Sequence, residues 1–110
     1  MTITPSFAGG ALCLAIAGRL DSITSPDFTA RCQQLIEADQ KKVVLNVEDV
    51  EYVSSAGLRA ILMVGRAIQS SGGVLALCGL KGTVKSVMEL AGFRNLFPLY
   101  ESMEAALESQ

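Results

Sequence analysis

The chain contains no histidine. That absence removes the commonest general base, the usual partner of a nucleophilic serine or cysteine, and the commonest metal ligand. Carboxylates and lysines remain, but the ordinary Ser-His and Cys-His hydrolase arrangements are excluded. Basic charge is also scarce. Nine Lys and Arg stand against eleven Asp and Glu, for a formal charge of −2. No basic stripe is available for a nucleic-acid backbone. There is no Gly-x-x-x-x-Gly-Lys-Ser/Thr loop, and Gly9-Gly10 and Gly72-Gly73 read as turns. Apolar runs such as Ala60 to Val64 are far too short to cross a bilayer, and Met1 to Pro5 lacks the basic start and apolar core of a signal peptide. The three cysteines, Cys13, Cys32 and Cys78, are odd in number and far apart. They suit buried thiols in a reducing cytoplasm better than a disulfide framework.

What is present suits one folded core. Half of the 110 residues are hydrophobic, and the length fits a single domain over residues 1–110. Thr2 to Phe7 and Ala11 to Ala17, joined by Gly9-Gly10, read as a hairpin, which Gly18-Arg19-Leu20-Asp21 ends. Thr24-Ser25-Pro26 starts a helix with a hydroxyl cap and an early proline. Its buried stripe is Phe28, Cys32, Leu35 and Ile36, and Asp39-Gln40-Lys41 closes it. Val43 to Val47 is an interior strand, and Glu48 to Val53 carries the chain over the sheet edge. Ser54-Ser55 opens a second helix, with Leu58, Ile61, Leu62 and Gly65 on one face and Met63 and Val64 off it. Val74 to Cys78 is a strand, Val84 to Ala91 a helix stopped by Gly92, Leu96 to Tyr100 an edge strand, and Met103 to Leu107 a short final helix. Strands alternating with helices after an opening hairpin imply an α/β fold: a mixed, mostly parallel sheet of about five strands with about four helices packed on it.

The segment that carries chemistry is Tyr52-Val53-Ser54-Ser55-Ala56-Gly57-Leu58-Arg59, which joins the central strand to a helix start. Two readings of Ser54 and Ser55 stand side by side. Either they only cap the helix, satisfying its free N–H groups, or one of them carries a phosphate that the helix start accommodates. Gly57 leaves the first turn uncrowded for a partner's backbone. Catalysis is not expected. Ser54-Ser55-Ala56-Gly57 is not a Gly-x-Ser-x-Gly elbow, and Glu48, Asp49 and Glu51 read as a solvated turn.

The same segment resembles the signature of the STAS family, which includes the bacterial anti-sigma-factor antagonists. The likeness extends to Gly18-Arg19-Leu20-Asp21, to Val43–Val47 with Val50 and Tyr52, to Gly72-Gly73-Val74, and to Val84–Phe93. The resemblance implies a cytoplasmic, non-enzymatic partner switch with no cofactor, no metal, no direct contact with nucleic acid and no membrane insertion. The unmodified antagonist binds an anti-sigma factor that is itself a serine kinase of the histidine-kinase-like ATPase fold. Phosphorylation weakens the complex, and a metal-dependent serine phosphatase resets it. Aligned on Gly57-Leu58, the phosphorylated position falls on Ser55, with Ser54 as the second candidate, standing where the family commonly has aspartate. The candidate partner surface comprises Ser54, Ser55, Ala56 and Gly57, with Asp21, Arg59 and Met63. The resemblance sets Asp21 beside the serines, where the alternative is a turn-stabilising aspartate. Arg59 is either a partner contact or simply solvated, and Met63 is either part of an apolar docking patch or packed under a neighbouring loop. The alternative is a non-phosphorylated STAS scaffold in a transporter-associated or signalling complex; a nucleotide-binding module is a further one.

Overall fold

The computed structural model describes residues 1–109. Strands β1 (Thr2–Ala8) and β2 (Ala11–Leu20) form an antiparallel hairpin. Its two-residue turn, Gly9-Gly10, takes φ of 57° and 80°, a backbone that favours glycine. There follow α1 (Ser25–Leu35), β3 (Lys42–Val53), α2 (Ser55–Ser70), β4 (Val74–Cys78) and α3 (Gly82–Leu90). A 3-10 turn (Phe93–Asn95), β5 (Leu99–Tyr100) and α4 (Met103–Glu108) complete the order. The sheet runs β1-β2-β3-β4-β5, parallel from β2 onward, so the expected mixed α/β architecture is the one found.

Alternation along the strands divides the core in two. Leu12, Leu14 and Ile16 of β2, Val43, Leu45 and Val47 of β3, and Leu75 and Leu77 of β4 share one face with Phe28, Ile61, Ile68 and Met88 of α1, α2 and α3. The intervening residues Cys13, Val44, Ala76 and Cys78 face the other way, under Ala106 of α4. Each fully buried large apolar side chain contributes roughly 1.5–3 kcal/mol, so the three-helix face carries most of the burial. The opposite face holds small side chains because one short helix lies close on it. All three cysteines are buried free thiols.

Several boundaries differ from those expected, each for a local reason. Strand β2 does not break at Gly18 but continues to Leu20 through register shifts against β3. Glu48 to Val53 is not a crossover: it is the second half of β3, with Asp49, Val50, Tyr52 and Val53 aligned on Ala17, Gly18, Arg19 and Leu20. The carboxylates of Glu48, Asp49 and Glu51 therefore lie exposed on a strand rather than in a turn. Thr24 does not cap α1 with its hydroxyl, which instead donates to the carbonyl of Arg19 at 2.9 Å. Helix α1 ends at Leu35, because Ile36 is already extended, with φ −93° and ψ 112°. On α2 the buried face is Gly57, Ala60, Ile61, Val64, Gly65 and Ile68. Val64 thus belongs to the core, whereas Met63 is exposed. The last strand shrinks to two residues because Phe93–Asn95 forms the 3-10 turn and only Leu99 and Tyr100 align on β4.

Candidate partner-binding site

The adjacent ends of β2 and β3 place the start of α2. Leu20 and Val53 are register partners, and the N–H of Ser54 donates to the Leu20 carbonyl at 3.0 Å. Ser54 is extended, with φ −95° and ψ 176°, and its Oγ accepts from the N–H of Gly57 at 3.3 Å. Its carbonyl takes the N–H of Leu58 at 2.9 Å. Ser54 is therefore the N-cap, committed through both side chain and main chain.

Ser55 is the first residue of α2 and is exposed. Among the described residues its hydroxyl makes no hydrogen bond, and the N–H groups of Ser55 and Ala56 have no acceptor. The first turn of α2 carries no acidic side chain. The free N–H groups and the partial positive charge of the helix end favour a negative group there.

Gly57 is buried, and a Cβ on it would collide with the carbonyl oxygen of Leu20. The close approach that requires glycine here is thus made by the protein's own β2 and not left open to another backbone. This corrects the expectation drawn from the sequence.

Asp21 follows Leu20 directly, so the same strand end brings it to this region. Its Oδ1 accepts from the N–H groups of Ile23 and Thr24 at 3.0 and 3.1 Å. These bonds hold the turn that leads into α1. The Thr24 N–H is the largest cause holding the carboxyl below its ordinary value, with smaller help from Ile23, the Thr24 hydroxyl and Arg19. Oδ2 lies 3.7 Å from Arg19 Nε. The Arg19 guanidinium in turn sits 4.3 Å above the centre of the Tyr52 ring, a cation–π arrangement. Ile23, at the tip of this turn, is 85 % exposed.

Between α1 and α2 lies a groove of about 260 Å³, walled by Ser22, Ser25, Pro26 and Thr29 on one side and Ala56, Arg59, Ala60 and Met63 on the other. Its α2 wall begins at Ala56, the residue after Ser55. Arg59 is exposed and, among the described residues, makes neither an ion pair nor a hydrogen bond. The structure thus gathers Ser55, Ala56, Arg59 and Met63 at the start and along one side of α2, places Asp21 in the turn after the neighbouring β2, and turns Gly57 inward. Sequence reasoning missed Ile23 and the contact between Arg19 and Tyr52. An isolated large apolar residue in the polar turn Asp21-Ser22-Ile23-Thr24 was the available signal for the first. The other two become neighbours only through a β2–β3 pairing that was not foreseen.

A second cavity, of about 200 Å³, opens on the α1–α2 seam among Cys32, Ile36, Val64 and Ile68. Burial pushes the Cys32 thiol up to about 12, so no thiolate is available there at neutral pH. Among the described residues, no three Asp, Glu or Cys side chains converge where a metal ion could be held.

The STAS domain profile matches residues 2–106. The chain belongs to the STAS domain family. Among curated STAS relatives, BtrV of Bordetella bronchiseptica is 34% identical over 106 residues, covering 96% of this chain and 91% of its own, and its name places it with the anti-sigma factor antagonists. The anti-sigma F factor antagonist of Paenibacillus polymyxa is 27% identical over 99 residues, covering 89% and 85%. Solved STAS structures agree in fold. An anti-sigma factor antagonist structure from Thermotoga maritima superposes with a TM-score of 0.89 at 22% identity, covering 96% of this chain and 92% of that one. The Bacillus cell-fate determinant SpoIIAA, in its phosphorylated form, gives 0.73 at 16% identity, covering 97% of each. In this STAS domain no helix among the described residues is long and apolar enough to cross a membrane.

Proposed function

We propose that this STAS domain is a cytoplasmic anti-sigma factor antagonist: a non-enzymatic partner switch controlled by phosphorylation of Ser55. The observation that carries the reading is the division of labour between adjacent serines. Ser54 is committed to capping α2, while Ser55 presents an exposed, unengaged hydroxyl at the helix start. The names of the relatives add support, as does the existence of a phosphorylated form of SpoIIAA with this fold.

In the unmodified state the surface around Ser55, with the α1–α2 groove, Met63 and the Asp21–Ile23 turn, docks an anti-sigma factor that is also a serine kinase of the histidine-kinase-like ATPase fold. Phosphorylation adds about −1.5 to −2 charges at one point. The helix start holds that group without unfolding, so the change stays local. A dianion pressed against a partner surface that offers it no counter-charge weakens the complex about a hundredfold or more, since each tenfold corresponds to about 1.4 kcal/mol. A metal-dependent phosphatase restores the hydroxyl. The domain acts on transcription without touching DNA, in keeping with its net charge of −2.

The neutral Ser54, where family members commonly carry aspartate, favours a second reading as a non-phosphorylated scaffold. Co-purification from native lysate with phosphosite mapping separates the two. The switch predicts an ATPase-fold kinase as co-purifying partner and phosphate on Ser55; the scaffold predicts other partners and no phosphate on either serine.

A further inference from the structure

We infer that Arg59 is the side chain that receives the phosphate of a modified Ser55, and that in doing so it leaves the wall of the α1–α2 groove. This rests on the proposal that Ser55 is the modified residue. Ser55 and Arg59 are four residues apart on α2 and both are exposed. Residues at that spacing are neighbours on one helix face, with Cβ atoms about 5–6 Å apart. The order, anion first and cation one turn later, is the favourable one for such a pair. The planar guanidinium matches phosphate oxygens with two parallel N–H donors.

Arg59 is free to take this role. Arg19 is held by Tyr52 and Asp21, Arg31 donates to the Ile3 carbonyl, and Arg94 pairs with Glu89. Arg59 has no such partner among the described residues, and the first turn of α2 offers it no carboxylate. The residue before Ser55 is the neutral cap Ser54, so no acid there competes with the phosphate. The other charges on the elements around this helix start are Arg19 and Asp21, facing one another, Glu51 near the end of β3, and Asp27 in the first turn of α1.

The consequence concerns specificity. In the unmodified domain Arg59 helps wall the groove with Met63, Pro26 and Thr29, a cation offered to a partner. Once paired with phosphate it is withdrawn. Modification then acts twice, adding a dianion and removing the guanidinium from the docking surface.

The test uses the domain with phosphoserine installed at position 55 during translation, so it does not depend on any kinase. The second ionisation of the phosphate, ordinarily near 6, is followed by 31P NMR across pH in wild type, Arg59→Gln, Arg59→Lys and Arg66→Gln. A neighbouring guanidinium stabilises the dianion and lowers that pKa. Arg59→Gln is expected to raise it by about 0.3 of a pH unit or more at low salt. Arg59→Lys recovers part of the difference, and high salt reduces it. Arg66→Gln, an exposed arginine further along α2, leaves it unchanged. If Arg59→Gln titrates like wild type, or Arg66→Gln shifts it equally, the inference is overturned. Failure of the kinase to modify Ser55 would count against the switch itself and would leave this titration standing.

Discussion

Gly57 packs directly on the carbonyl of Leu20, so that a single added methyl group would drive the first turn of α2 into the end of β2. That oxygen already accepts from the N–H of Ser54. The strand end therefore fixes both the height and the direction of the helix that presents Ser55. Gly57→Ala is expected to destabilise the fold. Overpacking against backbone costs about 1–3 kcal/mol, which exceeds the up to about 1 kcal/mol that alanine gains over glycine inside a helix. Urea unfolding checks the sign; unchanged or increased stability contradicts this contact.

The two serines should separate cleanly in stability. Ser54→Ala removes the cap and costs about 1 kcal/mol. Ser55→Ala removes an exposed hydroxyl that bonds to nothing in the fold, so its effect stays within about 0.5 kcal/mol of zero. Thermal or urea denaturation of the two variants decides it. Equal losses would mean that Ser55 shares the capping role.

Much of this site was legible in the sequence, and the exceptions have physical causes. The helix start at Ser54-Ser55 follows from hydroxyl-capping chemistry, which needs no tertiary information. The second half of β3 was not legible. Its inward residues, Val47, Val50 and Val53, recur every third position, because the register against β2 shifts twice and the strict alternation of a flat strand is lost. Thr24 reads as a cap because Thr-Ser-Pro is a good local signal; in the fold its hydroxyl bonds Arg19, and Asp21 holds the turn instead. Gly57 reads as open space from sequence, since nothing local reveals that Leu20 lies above it. Val64 reads as off the buried face, yet the seam between α1 and α2 buries it.

Helix α4 is tied to the sheet by Lys42, whose Nζ donates to the carbonyls of Ala106 and Ser109 at 2.7 and 2.9 Å. Cys13 and Cys78 lie beneath it. Burial raises all three thiols, Cys78 to about 11 and Cys32 to about 12. The native protein should react slowly with a thiol reagent at pH 8. Lys42→Met is expected to speed labelling of Cys13 and Cys78 and to leave Cys32, under α1 and α2, protected. Mass mapping of the labelled sites tests this, and uniform labelling of all three contradicts it. Because the raised thiols favour the neutral form in the fold, their contribution is complete below the ordinary value of 9.0 and is lost as pH rises toward about 11–12.

Asp21 gives the opposite dependence at acid pH. Its carboxyl lies below the ordinary 3.8 in the fold, chiefly through the Thr24 N–H. Its stabilising contribution is present above that value and disappears as pH falls through the lower, folded one. Asp21→Asn should therefore show a shallower loss of stability on acidification below pH 3.8 than wild type. Parallel curves would show that the turn does not depend on the carboxylate charge.

The proposed switch turns on what a phosphate at Ser55 does to docking, and calorimetric titration of its proposed anti-sigma kinase partner against unmodified domain and domain carrying phosphoserine at 55 measures it directly. The prediction is binding weakened about a hundredfold or more by the phosphate, with Ser55→Ala retaining wild-type affinity. Equal affinity of the two forms would contradict it.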